Sequence, residues 1–209
     1  MSLRRGNMAL PLSSRLMHWL LLAASLFAAA SLHAQTEEKQ AGSETTVLAL
    51  PEDMRPELKE LLPQNRLMGK GRLTFWGFQV YDARLWAMPG FKADNFTAQP
   101  FALELAYLRN FDAVDVADRS IVEMRRTAPI SETQAKVWAA EMVRVFPNMK
   151  KGDRIMGVNK PGVGVAYLVN GKPVGEIRDP EFAKLFFGIW LSVKTSEPKL
   201  RSALLAWAA

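Results

Sequence analysis

The side chains that most often carry catalysis are nearly absent from this sequence. Its two histidines, His18 and His33, lie within the first 34 residues, and none of the 209 residues is cysteine. A chain that begins near Gln35 therefore has neither imidazole nor thiol. That removes Ser-His-Asp and Cys-His nucleophilic catalysis, imidazole acid–base chemistry and any zinc site built on nitrogen or sulfur ligands. Carboxylates, phenols and guanidiniums remain. Asp112, Asp115 and Asp118 recur every three residues. They lack the ligand order of a calcium loop and read as the solvated first turns of a helix. "GVGVAY", Gly162 to Tyr167, resembles a phosphate loop only in its glycines. No Lys-Ser/Thr pair ends it and no helix follows, so a hairpin is expected.

The loss of the histidines depends on the N-terminal segment. Arg4, Arg5 and Arg15 precede an apolar run from Leu16 to about Leu32, and Ala34 then leads into the polar "QTEEKQ". Basic start, apolar middle and small-residue exit are the three parts of a secretory signal peptide. The run is short for ~30 Å of hydrocarbon. Residues 1–34 are read as a signal peptide cleaved between Ser31 and Thr36, with an uncleaved anchor as the alternative. Residues 35–50 read as a flexible tail and 51–209 as the folded domain, which places the protein in the periplasm. The leader holds three of the 27 basic residues and none of the 21 acidic ones, leaving 24 against 21, or +3. Basic residues such as Lys92, Arg109, Lys136 and Lys160 are scattered, so no nucleic-acid surface is expected. No cofactor and no metal is expected either. Asn95-Phe96-Thr97 fits a glycosylation sequon but carries little weight behind a bacterial-looking leader.

The elements that must position any site follow from periodicity. "PEDMRPELKELLP" holds one or two helical turns bounded by prolines. "GKGRLTFWGFQVYDARLWAM" reads as a strand or bent strand pair, with Trp76, Phe78 and Val80 on one face and Phe75, Gly77, Gln79 and Tyr81 on the other. Two bulky faces predict a central strand, and Asp82 and Arg84 exclude a membrane span. "FALELAYL" alternates Phe101, Leu103, Leu105 and Tyr107 against Ala102, Glu104 and Ala106, as a half-buried strand does. "DAVDVADRSIVEMRR" predicts a helix with acidic residues early and Arg125 and Arg126 late, as the helix dipole favours. "SETQAKVWAAEMVRVF" predicts another, with Ser131 and Gln134 at capping-box spacing. Three short β runs follow, the last two joined by Asn170-Gly171, a strong hairpin signal. "DPEFAKLFFGIWL" and "SEPKLRSALLAWA" close the chain as helices. Trp138 and Trp190 fall at core positions. Strands and helices segregate rather than alternate, so the fold class is α+β, an antiparallel sheet with helices on one face.

Three segments together resemble one family: "GKGRLTFWGFQVYDARLW", "FALELAYLRNFDA", and the C-terminal half through "FFGIWLSVKTSEPKLRSALL". Their order and spacing are similar to the exported bacterial branch of the chalcone isomerase-like family, over roughly Gly69 to Leu205. The resemblance implies an open-faced β-sandwich with a cleft for a small apolar molecule between sheet and helices. Plant enzymes of this family close a flavanone ring with an Arg, a Thr, a Tyr and an Asn. Their positions fall here on Leu73, near Trp76, on Phe111 or Asp112, and near Arg119, and none matches. Non-catalytic members bind fatty acids through an Arg. The resemblance thus implies a non-catalytic protein binding a small apolar or amphipathic acid. Arg72, beside the Gly-x-Gly, or Arg119 would meet the carboxylate, with Trp76 and Tyr107 as wall. An intramolecular lyase and an interaction protein with a filled cleft are the other two classes.

Overall fold

The computed structural model describes residues 55–208. The proposed signal peptide and tail lie outside the described residues. β1 (Arg66–Phe75), β2 (Phe78–Ala87), β3 (Phe101–Tyr107), β4 (Arg154–Lys160), β5 (Gly164–Val169) and β6 (Lys172–Ile177) form one antiparallel sheet, in which spatial order equals sequence order. The helices are α1 (Leu58–Leu61), α2 (Ala113–Thr127), α3 (Glu132–Val145), α4 (Pro180–Leu191) and α5 (Pro198–Leu204). This is the expected α+β sheet with a helical layer. No described helix is long and apolar enough to cross a membrane.

One face of the sheet carries the main core. Leu85, Leu103, Leu105, Tyr107, Ile155 and Tyr167 point from it into α3, α4 and α5. α2 packs on α3 and α4. Capping fixes where the helices start. Ser131 Oγ accepts from Gln134 N–H at 3.1 Å, as its capping-box spacing predicts. Asp179 Oδ1 accepts from Glu181 and Phe182 N–H at the start of α4, and its other oxygen accepts from Trp138 Nε1 at 2.9 Å. Asp112 makes no such side-chain cap. Ala113 N–H instead donates to Asn148 Oδ1 at 2.9 Å.

The Gly-x-Gly of β1 exists for packing. A Cβ on Gly69 would run into the Ala203 carbonyl, and one on Gly71 would lie 2.8 Å from Leu200 Cδ1. These two glycines let α5 lie directly on β1. Trp207 N–H then donates to Met68 O at 2.9 Å, covering part of the edge strand.

The aromatic run takes the second of its two expected forms, a strand pair. It is a hairpin, with Trp76 (φ 52°) and Gly77 (φ 79°) as its two-residue turn. Two left-handed residues in succession make the turn that matches strand twist. Asn170-Gly171 (φ 51° and 80°) does the same between β5 and β6, as predicted. The turn breaks the alternation at Trp76. β1 is an edge strand, and Trp76 projects from its tip, 77% exposed. The expected central strand with Trp76 in its wall is therefore corrected.

The opposite face is not bare. Leu58 and Leu62, in and beside α1, bury against Trp86, Ala102, Met156, Val158 and Leu168. Beside them the Glu104 side chain is fully buried. Arg55 donates two hydrogen bonds to it, at 2.7 and 2.8 Å, and Arg154 one at 2.7 Å. Arg84, its cross-strand neighbour, lies 3.7 Å away. Arg154 also pairs with Glu57, and Arg55 stacks over the Trp86 ring. Burial works against the Glu57 charge, but the Arg154 hydrogen bond and the two positive charges hold its pKa below the usual value. Residues 55–62 thus form a strap across the back of the sheet. β3, expected to be half-buried, is covered on both faces.

Candidate functional site

The hairpin tip, the end of β3 and the start of β4 share one end of the sheet. At this end the inner face carries Leu73, Tyr81 and Tyr107. Register places Leu73 opposite Tyr81 and Tyr81 opposite Tyr107. The two phenol rings meet edge-on at 6.1 Å, and Tyr107 meets Phe111 at 5.2 Å. From α4, Trp190 Nε1 donates to Tyr81 Oη at 2.9 Å. Burial raises the pKa of both phenols well above the ordinary range, although the Trp190 bond pulls Tyr81 back slightly. Both are neutral at physiological pH. They offer hydrogen bonds, not phenolate base chemistry.

α2 supplies the charge. Arg119 Nη2 lies 2.6 Å from Glu123 Oε1, one helical turn on. Arg119 is mostly exposed, while Glu123 is buried. The negative charge of Glu123 is felt at the Tyr81 hydroxyl. Glu123 Oε2 is buried and accepts no hydrogen bond; Arg126 Nε lies 3.7 Å from it. A carboxylate oxygen left in this state is an unmet acceptor.

Of the four residues singled out in the sequence, Tyr107 lies on the inner face of the sheet at this end, and Arg119 lies on α2, paired with Glu123. Arg72 is elsewhere. It pairs with Asp82 across the β1–β2 ladder, at 2.6 and 2.9 Å, on the face that carries Arg84 and Glu104. Its guanidinium is directed away from the helices, because side chains alternate along a strand. Arg72 as the carboxylate partner in a sheet–helix cleft is corrected on that ground. Trp76 as a wall is corrected by its exposure. Tyr81, Glu123 and Trp190 were missed as site residues. The signals existed: Glu123 stands four residues after Arg119, and Tyr81 shares a strand face with Ala83 and Leu85.

At the other end of the sheet lies a shallow depression of about 200 Å³, between Thr97, Asn159, Lys160 and the first turn of α4. Its amide donor is already committed, since Asn159 Nδ2 bonds the carbonyls of Gln99 and Thr97 at 2.7 and 3.3 Å.

A six-stranded antiparallel sheet under a helical layer defines a class of α+β proteins. Within that class the chain belongs to the chalcone isomerase-like family, whose model matches residues 43–206. An uncharacterised protein of Haemophilus influenzae is 25% identical over 138 residues, which span 66% of each chain. Among solved structures, a fatty-acid binding protein of Arabidopsis thaliana superposes with a TM-score of 0.56 at 12% identity. The match covers 70% of this chain and 89% of that one. At that identity the likeness establishes the fold.

Proposed function

We propose that this protein binds a small apolar or amphipathic acid, fatty-acid-like, between sheet and helices, and does not catalyse ring closure. The proposal includes export to the periplasm, on the N-terminal sequence alone. One observation carries the binding reading. An arginine–carboxylate pair, Arg119–Glu123, lies on α2, and the Glu123 charge is felt at Tyr81, a member of the layer that also holds Leu73, Tyr107, Phe111 and Trp190. Such a layer suits an acyl or aryl body, and a carboxylate entering it needs a cation, because burying one unpaired is costly. Arg119 can supply that cation if it leaves Glu123, whose buried carboxylate is then balanced by Arg126. The fatty-acid-binding function of the Arabidopsis neighbour supports the same reading. Ring closure lacks support, since Arg72 lies on the far face and the phenols are neutral. The ring contacts among Tyr81, Tyr107 and Phe111 favour one rival, a layer already filled by its own side chains.

Calorimetric titration with long-chain fatty acids separates the two. Saturable binding with one site per chain is expected. Absence of heat with fatty acids and with shorter aromatic acids would leave the filled layer as the better account. Mass spectrometry of small molecules that co-purify with the protein would name the ligand.

A further inference from the structure

The β1–β2 turn presents an aromatic cluster to solvent. Trp76 is 77% exposed, Phe75 53% and Phe78 51%, and the Phe75 and Trp76 rings lie 6.2 Å apart. Three large aromatics on one short turn are more than the scattered apolar residues of an ordinary surface. Nothing in the fold requires them. The turn needs left-handed backbone at Trp76, a conformation that suits Asn or Gly better than Trp. The neighbouring loops are basic. Arg109 stacks on the Phe78 ring at 4.9 Å. Asn110 Oδ1 accepts from Lys151 N–H, which seats the exposed Lys150 and Lys151 beside Arg109. Of three acids nearby, one is ion-paired. Asp82 pairs with Arg72, and Asp153 accepts from Lys150 N–H and Asn170 Nδ2. Asp112 stands exposed at the start of α2.

We infer that this end of the molecule docks on an anionic lipid surface, with Phe75, Trp76 and Phe78 entering the headgroup boundary and Arg109, Lys150 and Lys151 meeting lipid phosphates. A convex two-residue turn offers no concavity to a partner's side chain, but it can enter a fluid interface. Trp favours that boundary because its ring is apolar and its N–H is polar. Cations beside it add attraction to acidic headgroups. The inference deepens the proposed function and rests on it for its purpose: an apolar acid is held mostly in membranes, and the docked end is the one where Tyr81 and Tyr107 lie.

The test is co-sedimentation of the purified chain with vesicles, in the absence of added fatty acid. One set is phosphatidylcholine and the other equal parts phosphatidylcholine and phosphatidylglycerol. Parent and variants share their N-terminal residues, so any affinity of the run 16–32 cancels in the comparison. The combined variant Phe75→Ser, Trp76→Ser, Phe78→Ser should lose about tenfold or more of its partitioning into the acidic vesicles, the scale set by the apolar area withdrawn. Lys150→Glu with Lys151→Glu should weaken binding to those vesicles alone, by about fivefold or more per residue. Circular dichroism matching the parent shows that the variants fold. A parent that stays in the supernatant, or an aromatic variant that pellets like the parent, overturns the inference. If the variants instead lose only a co-purifying protein, the surface is a protein contact and the lipid assignment is wrong. Fatty-acid titration without vesicles is the separate control. Vesicle binding without acid binding would refute the ligand reading and leave the docking intact, while acid binding without vesicle binding would do the reverse.

Discussion

Arg119 and Glu123 are opposed in what they do to an acidic ligand, and that opposition makes the site testable at single residues. Arg119→Ala removes the cation and should weaken fatty-acid binding by about 1.5–3 kcal/mol, the range for hydrogen bonds to charged groups. Glu123→Gln removes the competitor for that cation. It should tighten binding, by on the order of tenfold, the effect of losing one nearby like charge. Calorimetry on the two variants reads both signs, and a site that ignores either change is elsewhere. Trp76 makes the contrasting case. Read as part of a buried strand, it would cost several kcal/mol to truncate. At the tip of a hairpin, with φ 52°, it is held in a conformation Asn tolerates better. Trp76→Asn should leave stability unchanged or raise it by about 0.5 kcal/mol, since it relieves a strained turn position. Urea unfolding gives the answer, and a loss of more than ~1 kcal/mol would show that the ring packs on something.

Among the elements, the contact of α5 with β1 is the one most exposed to a single change. Gly69→Ala drives a methyl group against the Ala203 and Leu204 backbone. A flexible side chain could step aside, but a backbone carbonyl cannot. The expected loss is ~3 kcal/mol, the upper end of overpacking costs, read from the thermal midpoint. The elements themselves were largely legible in the sequence. Strict alternation gave β3, Ser131 and Asp179 marked the starts of α3 and α4, and Asn170-Gly171 marked the β5–β6 turn. What misled was the Trp76-Gly77 turn. Only its second residue carries a turn signal, and the aromatic residues on both sides continue the pattern of a strand. The placement of the candidate residues was legible in part. Alternation places Tyr107 with the inward Leu103 and Leu105, and sets Arg72 on the face opposite Leu73, whereas which of those two faces meets the helices depends on register. Periodicity within one strand cannot fix register, because a shift of one residue reverses every side chain.

For the whole molecule, the decisive charge is Glu104, which holds the strap to the back of the sheet. Glu104→Ala would leave Arg55 and Arg154 without their shared acceptor in a largely buried place. A cost of about 3–5 kcal/mol is expected, as for any buried ion pair broken from one side, with a lowered denaturant midpoint as the measure. The same strap has a consequence in time. Because spatial order equals sequence order, β1–β2 and β4–β5–β6 can form as local hairpins, and short closures are fast. The strap cannot follow that order. Arg55 meets Glu104 across 49 residues, and Glu57 meets Arg154 across 97. The first residues of the domain to be synthesised are therefore among the last to be secured. Until β3 has been made Arg55 lacks Glu104, and until β4 has been made Glu57 lacks Arg154, so the strap closes in two stages.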